Sequence, residues 1–322
     1  MATVAKNNAA IRGAGALVTA VPAFFGFTPD ECLVVVRLAK GALAAAVRID
    51  FDAAIRAAEH DISSLVGHED DRADMVALIG IGVNSRRDDA LNAVAAACLA
   101  DGMYVTATIK VDRIAFGERW IDHSSKTEGL IDDPTTCPAA LDSLIERGRG
   151  VASDREELRI EVTATGANIV AGKAPSNAGA ARAVRAVLAA MDRHMNGHPL
   201  SDADVAKLAG GLLNKRVRDA VVAIGLTGRR EAARAVFADV TRRVCGPARA
   251  EAATIVAVLA YFACDGALLR MALEEAQREA PKHSLALMVA YALDMQIHPT
   301  KFEEALAPSR QILAELGIVV PD

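Results

Sequence analysis

Apolar residues in the first half of the chain follow two alternating spacings. Continuous apolar or β-branched runs predict four strands: Leu33–Leu38, Ala42–Ile49, Asp74–Val83 and Tyr104–Val111. Stretches of helical period lie between them, one from Asp50 or Asp52 to Val66 and one over Asp88–Leu99. The second strand follows the first after a tight turn and is its predicted hairpin partner. This strand–helix rhythm predicts an α/β layer with a mostly parallel sheet.

From about Ser176 onward the apolar spacing is helical throughout. The predicted helices are Asn177–Met195, Ser201–Leu213, Lys215–Ile224, Arg229–Arg243, Ala248–Cys264, Asp265–Ala280, His283–Met295 and Thr300–Leu316. Pro247 and Pro281 lie 34 residues apart with a helix, a turn and a helix between them. That distance is the period of tetratricopeptide-type helix pairs. We therefore predict an all-α domain of stacked, tetratricopeptide-like helical hairpins.

The two spacings together predict an α+β protein. We expect an α/β domain over residues 1–165, a linker over 166–176 and an all-α domain over 177–322. The segment between Arg113 and Asp154 is irregular and carries several Pro and Gly residues. Leu158–Thr165 has two interpretations, because it has the composition of an edge strand while Ser153 and Glu156 form a capping box that would begin a helix.

Composition narrows the class of protein. The chain has 322 residues, of which 52% are hydrophobic and only 4% aromatic, and its formal net charge is −5. This acidic balance argues against a dedicated nucleic-acid binder. The five cysteines include no C-x-x-C pair, which is typical of reduced cytosolic thiols. The longest apolar runs are too short to span a bilayer, so we expect a cytoplasmic protein without a membrane segment.

Several motifs resemble those of a known family. Residues 17–38 contain an Ala-Val-Pro sequence, a Gly-Phe-Thr-Pro loop and an LVVV strand, and residues 150–158 and 249–290 add further similarity. These stretches resemble the actinobacterial and actinophage family called domain of unknown function 4192. The chain departs from the family pattern at residues 124–125, where members carry further Cys, and at Ala139, where they carry Gly. The resemblance implies a lineage in actinobacteria or their phages but no activity.

One candidate site lies in the α/β domain. Ligands bind α/β sheets at the carboxyl ends of the strands, and three segments with polar or aromatic residues follow or lie near predicted strand ends. The candidate ligand-binding residues are Pro22, Phe27, Pro29, Asn84, Arg86, Trp120 and His123. A structural alternative is that Trp120, the only Trp, anchors its loop by being buried. Residues 122–125 include the residue types of a nucleophile triad, but sequence neighbours rarely adopt its geometry.

A second candidate surface lies in the helical domain, where arginines cluster. The candidate partner-binding residues are Arg216, Arg230, Arg234 and Arg243. A nucleic-acid groove would have more net positive charge and more aromatic residues, so a surface that faces solvent or a protein partner is expected.

Four other motifs suggest chemistry, and we interpret each of them structurally. Ala167–Lys173 resembles a phosphate-binding loop, but residue 174 lacks the hydroxyl that binds Mg²⁺, so a linker is expected. Gly13–Gly15 is a fragment of a dinucleotide fingerprint and is expected to be a mobile turn. His194 and His198 have the spacing of a helical metal pair, but Gly197 is expected to end the helix. The acidic cluster from His68 to Asp74 precedes a strand and is expected to be a solvated loop.

These observations favour a non-catalytic protein that binds another protein through its helical domain. A phage-encoded factor that acts on a host protein is one form of this hypothesis, because the resembled family includes phage members. The alternative is an enzyme, or a small-molecule or nucleotide binder, with its site in the α/β domain. No catalytic residue, metal or cofactor is predicted, and the sequence leaves the oligomeric state open.

Overall fold

The chain forms two compact units, Met1–Arg155 and Glu156–Asp322. The structure is a computed structural model that describes residues 2–3, 11–39, 42–67, 75–147, 150–295 and 297–320. The acidic cluster at residues 68–74 lies outside the described residues. The overall class is mixed α and β, as predicted, with strands described only in the first unit and helices in both.

The first unit contains a sheet of seven strands. Its strands are β1 (Ala2–Thr3), β2 (Cys32–Ala39), β3 (Ala42–Ile49), β4 (Met75–Ile81), β5 (Tyr104–Val111), β6 (Arg119–Asp122) and β7 (Thr127–Leu130). Their spatial order is β1-β3-β2-β4-β5-β6-β7. The four predicted strands are confirmed as β2 to β5, whereas β6 and β7 form a hairpin within the segment predicted to be irregular.

The prediction of a mostly parallel sheet is wrong. Among the described strands, only β4 and β5 pair in parallel, and every other neighbouring pair is antiparallel. The physical reason is the position of β2, which lies between β3 and β4 and runs antiparallel to both. The helical crossover from β3 to β4 therefore joins two strands of the same direction that are not neighbours. A strand–helix–strand rhythm in the sequence does not reveal such an inserted strand.

Helices cover the sheet of the first unit. They are α1 (Gly13–Phe25), α2 (Phe51–His60), α3 (Ser63–Val66), α4 (Arg86–Ala100) and α5 (Pro138–Arg147). Leu33, Val35 and Leu78 pack with apolar residues of α2, α3 and α4 in one core. Strand alternation directs Ile79 and Ile81 to the opposite face. The prediction of a mobile turn at Gly13–Gly15 is wrong, because these residues form the first turn of α1.

Helices dominate the second unit. They are α6 (Arg155–Arg159), α7 (Ala180–Met195), α8 (Asp202–Leu212), α9 (Lys215–Ile224), α10 (Arg230–Arg243), α11 (Gly246–Phe262), α12 (Gly266–Glu279), α13 (Ser284–Asp294), α14 (Pro299–Leu306) and α15 (Arg310–Glu315). The predicted helices from residue 177 to 295 are confirmed to within a few residues at their ends. The last predicted helix, Thr300–Leu316, is instead broken by a short 3₁₀ turn at Ala307–Ser309. Of the two interpretations of residues 158–165, the strand is wrong, because α6 occupies the first part of that segment.

The second unit does not support a tetratricopeptide-like stack. The helix α11 is buried along almost its whole length, including Ile255, Val258 and Leu259. It packs against α8, α9, α10, α12, α13 and α14. In a linear stack each hairpin contacts only the hairpins beside it, whereas here one helix is surrounded by the others. The periodicity of Pro247 and Pro281 marks one helix pair, α11 and α12, and no repeat of that pair.

The predicted linker at 166–176 runs as extended chain against the helices of the second unit. The amide of Ile169 donates to the carbonyl of Arg243, and the amide of Gly172 donates to the carbonyl of Ala206 at 2.7 Å. A Cβ at Gly210 would lie 2.3 Å from the Gly172 carbonyl oxygen, so only Gly permits this approach. The phosphate-loop-like sequence therefore lies along α8 without a preceding strand.

None of the helices in the described part of the chain combines the length and the apolarity that crossing a bilayer requires.

Candidate functional site

Asn84 and Arg86 lie at the carboxyl end of β4, where the chain enters α4. The Asn84 side chain accepts a hydrogen bond from the Arg86 amide at 2.8 Å, which satisfies one free N–H of the first turn. The Arg86 guanidinium donates to Asp52 and Asp89, both at 3.0 Å. These contacts give both residues a structural explanation, since they join the start of α4 to the start of α2.

Glu31, which the sequence did not single out, lies beside the loop that joins β4 to α4. It has a positive φ of 44° at the start of β2, which is unusual for a residue other than Gly. Its carboxylate accepts a hydrogen bond from the Val83 amide at 3.0 Å. A Cβ at Gly82 would lie 2.6 Å from that carboxylate. The Glu31 carboxylate therefore already accepts the hydrogen bond of a loop amide that could otherwise bind an anion.

Trp120 lies on the other face of the sheet. Its register places it beside Val111, which in turn pairs with Ile81. The indole is sandwiched between two glycines, because a Cβ at Gly15 or Gly129 would lie about 3 Å from the ring. The indole nitrogen donates to the Leu130 carbonyl at 3.3 Å. These contacts fit an anchoring role for Trp120, but the side chain is half-buried, whereas the structural alternative expected it to be buried.

The remaining candidates of the first unit differ in burial. Pro22 lies inside α1 and is buried, and Phe27 and Pro29 are buried as well. His123 is exposed, and its backbone amide donates to the carbonyl of Thr108. The candidate ligand-binding residues are therefore divided between two faces of the sheet.

The structure does not assemble a nucleophile triad at residues 122–125. Asp122 is buried and accepts hydrogen bonds from the Thr108 and Ser124 amides, both at 3.0 Å. Its second oxygen accepts from the Ser125 hydroxyl at 2.6 Å. The carboxylate thus fixes the β6–β7 turn.

His194 is near the end of α7, and His198 follows the turn at Gly197. Within the described residues, no cluster of His, Cys, Asp or Glu has the arrangement of a metal site.

The candidate arginines of the second unit all have partners within that unit. Arg216 pairs with Glu315, and Arg230 donates to Glu303 and to the Phe262 carbonyl, all at 2.8 Å.

Arg234 is buried and pairs with Glu161 and Glu231, and Arg243 pairs with Asp202 and Asp239. Burial alone would lower the pKa of Arg234, but its hydrogen bonds to Glu231 and the charge of Glu161 raise it above its ordinary value. These pairs join helices and the segment that follows α6. Each of the four predicted partner-binding arginines is thus paired within the second unit.

A groove in the second unit has the size of a binding site. Its volume is about 480 Å³, and it lies between α9, α13 and the chain from α14 to α15. The floor and walls are mostly apolar. The lining residues are Arg218, Asp219, Val222, Ser284, Leu285, Met288, Ala305, Leu306, Pro308, Ser309 and Ile312. Grooves of this size and composition commonly bind ligands or the side chains of a partner.

An exposed apolar stripe continues from the groove along α13. Leu287, Met288, Tyr291 and Met295 are exposed, by 47%, 42%, 63% and 49% respectively. Tyr291 follows Leu287 by four residues and Met288 by three. Met295, the C-cap of α13, follows Tyr291 by four, so the four residues lie on one side of the helix and its end. We call these four residues the α13 stripe. Contiguous apolar surface of this kind marks interaction sites more often than scattered exposed residues do.

A polar cluster anchors the start of α13 beside the groove. His283 is the N-cap, and its Nδ1 accepts a hydrogen bond from the Ala286 amide at 3.2 Å. In the neutral ring this leaves the hydrogen on Nε2, which lies 3.1 Å from a Glu251 carboxylate oxygen. Arg218 lies between Asp219 at 2.7 Å and Glu251 at 3.9 Å. The charged end of the groove is therefore lined by Arg218 and Asp219, and Glu251 lies behind Arg218.

The sequence contained a signal for the α13 stripe that the helix prediction did not use. The segment Ser284–Asp294 is apolar nearly all round, with only Asp294 charged. An isolated surface helix normally has a polar face, so an all-round apolar helix is either buried or covered by something else. Only the structure shows that one side of α13 is exposed.

The comparisons with known proteins are consistent with the resemblance in the sequence. Searches of curated proteins and of solved structures found no match. The family model described as Domain of unknown function (DUF4192) matches residues 15–300, which include most of both units. The predicted origin in actinobacteria or phages stays a prediction. The match over nearly the whole chain places this protein in that family: it belongs to the family Domain of unknown function (DUF4192).

Proposed function

We propose that this protein is a non-catalytic protein-binding protein, and that its partner binds the second unit at the α13 stripe and the adjoining groove. The observation that carries the proposal is the stripe itself, in which four large apolar side chains are exposed on one side of a helix. Leaving such surface in water has a cost of about 25 cal/mol per Å². A partner that covers the stripe removes this cost, and the groove beside it accepts protruding side chains.

The four arginines predicted to bind a partner carry less of this proposal than the α13 stripe does. Their intramolecular pairs make Arg230 and Arg234 part of the framework that holds the helices together. The α13 stripe is the better candidate for the contact surface. In the described part of the first unit, the residues predicted to bind a ligand are mostly buried or paired within the protein, so no second function is put forward.

Site-specific photo-crosslinking tests the proposal. A benzophenone amino acid replaces Tyr291 in one variant and Tyr104 of the first unit in a matched control, since these tyrosines are 63% and 66% exposed. We expect a discrete adduct with another protein from position 291 in cells of the native host, and none of the same size from position 104. Equal labelling from both positions, or none from position 291, would contradict the proposal.

A further inference from the structure

The groove beside α13 carries an uneven distribution of charge. The residues that line it from α13, α14 and α15 are uncharged, whereas α9 contributes Arg218 and Asp219. Behind Arg218 lies Glu251, whose carboxylate also lies 3.1 Å from Nε2 of His283. Arg218 is thus shared by two carboxylates, so it neutralises only in part the charge of Asp219, the carboxylate that lines the groove.

A second copy of this chain is a poor fit to the α13 stripe alone. The four side chains of the stripe are about half exposed, so they offer roughly 400 Å² if each has about 200 Å² of surface. A stable interface buries about 800 Å² on each partner. Pairing two α13 stripes would therefore bury too little, and it would leave the groove unfilled.

A narrow segment that enters the groove can match both its apolar lining and its charged end. Apolar side chains at helical spacing can fill the space over Val222, Leu285 and Ile312. A basic side chain at one end then meets Asp219, whose guanidinium partner is shared with Glu251. From this complementarity we infer that the groove binds an amphipathic helical segment of another protein, with apolar anchors and a basic residue beside Asp219. This inference rests on the proposed function and specifies the chemistry of the partner.

Fluorescence anisotropy with model peptides tests this inference. The probe is a labelled amphipathic helix of Leu and Lys, and its counterpart has the same Leu positions with Glu in place of Lys. The full chain is expected to bind the Leu/Lys peptide about tenfold more tightly than the Leu/Glu peptide. Substituting Met288→Lys, at the wall of the groove, should weaken binding of the Leu/Lys peptide about tenfold.

Two matched variants separate specific binding from general attraction. Asp219→Asn should remove most of the preference for the Leu/Lys peptide, whereas Asp30→Asn removes an equal charge in the first unit and should leave the preference unchanged. Val83→Lys changes an exposed apolar residue of the first unit and controls for Met288→Lys. Circular dichroism checks that each variant keeps its helices.

Three results would overturn the inference. They are equal binding of the two peptides or no binding of either, binding that Met288→Lys leaves intact, and a dimer of the protein alone that Met288→Lys dissociates. If crosslinks from position 291 persist while the Leu/Lys peptide fails to bind, the inference about partner chemistry fails and the proposed function stands. Absence of those crosslinks would contradict the proposed function itself.

Discussion

Single residues in this protein show how contacts within the protein account for side chains that the sequence offers as ligand-binding candidates. Trp120 and Arg86 have the chemistry and the location of ligand-binding residues, yet each has a specific structural partner. The indole fills the space that Gly15 and Gly129 leave, and the guanidinium joins two helices through Asp52 and Asp89. The sequence shows residue types, whereas the structure shows which of their atoms already make hydrogen bonds or packing contacts within the protein.

The close packing of Trp120 predicts the effect of adding one methyl group. A Cβ at Gly129 would lie 2.9 Å from the indole ring, so Gly129→Ala should destabilise the protein by about 1–3 kcal/mol. Gly150→Ala is the control, because nothing lies within 4 Å of its Cβ position. Urea unfolding measures both. In a Trp120→Leu background the cost of Gly129→Ala should shrink, and an unchanged cost would contradict the packing argument.

The cysteines should differ sharply in reactivity. Burial raises the pKa of the Cys32 and Cys98 thiols to about 11, whereas Cys245 is exposed at the start of α11. Because the thiolate is the reactive form, iodoacetamide at about pH 8 should label Cys245 well before Cys32 or Cys98. Peptide mass spectrometry of the native protein measures the order. Labelling of Cys98 as fast as Cys245 would contradict the burial of Cys98 in the core of the first unit.

At the scale of elements, the apolar periodicity predicted most of the helices and the central strands. It did not predict which strands pair with each other in the sheet. The strands β3 and β5 begin and end where the apolar runs do. The helix α1 was missed because Pro22 lies within it, and the β6–β7 hairpin was missed because each strand has only four residues. Sheet order depends on contacts between distant segments, so the insertion of β2 between β3 and β4 left no local signal.

The start of α8 should contribute stability that depends on pH. Ser201 and Asp204 form a capping box, and hydrogen bonds from Ser201 and then from Arg193 lower the pKa of Asp204 below its ordinary value of 3.8. A carboxyl whose pKa is depressed on folding stabilises the protein above the unfolded pKa, and this contribution is lost as the pH falls through the folded value. The difference in Tm between the natural protein and Asp204→Asn should therefore be constant near neutrality and vanish in acid.

Thermal unfolding followed across that range of pH provides the measurement. Asp30→Asn is the control, since Asp30 is exposed and lies outside any helix. A Tm difference for Asp204→Asn that grows on acidification would contradict the capping argument.

The central helix α11 is tied to α12 by a buried ion pair. Arg249 donates to Glu275 at 2.5 Å and to the Val162 carbonyl at 3.1 Å. The change Arg249→Met leaves the Glu275 carboxylate buried without this partner, so we expect a loss of about 3 kcal/mol in the free energy of unfolding. The double change Arg249→Met with Glu275→Leu should cost less.

Urea denaturation measures these variants, with Arg278→Met as the control on an exposed arginine that also contacts Glu275. If the double change costs as much as both single changes combined, the two residues act independently and the coupling is refuted.

At the scale of the whole molecule, the family match and the mixed α and β class agree with what the sequence predicted, and the proposed function rests on surface that only the structure shows. The predicted partner-binding arginines belong to the framework of the second unit. The α13 stripe lies on a helix whose existence was predicted but whose exposed side was not, because exposure depends on how α9, α13 and α14 pack. The central claim is that a protein partner covers this stripe in the cell.

Oxidative footprinting of methionines tests that claim most directly. Met288 and Met295 lie on the stripe, and Met195 on α7 is 62% exposed and serves as the reference within the same unit. In the purified protein, hydroxyl radicals should oxidise all three readily. In cells of the native host, we predict that oxidation of Met288 and Met295 falls several-fold relative to Met195. A ratio that is the same in cells and in the purified protein would contradict the account.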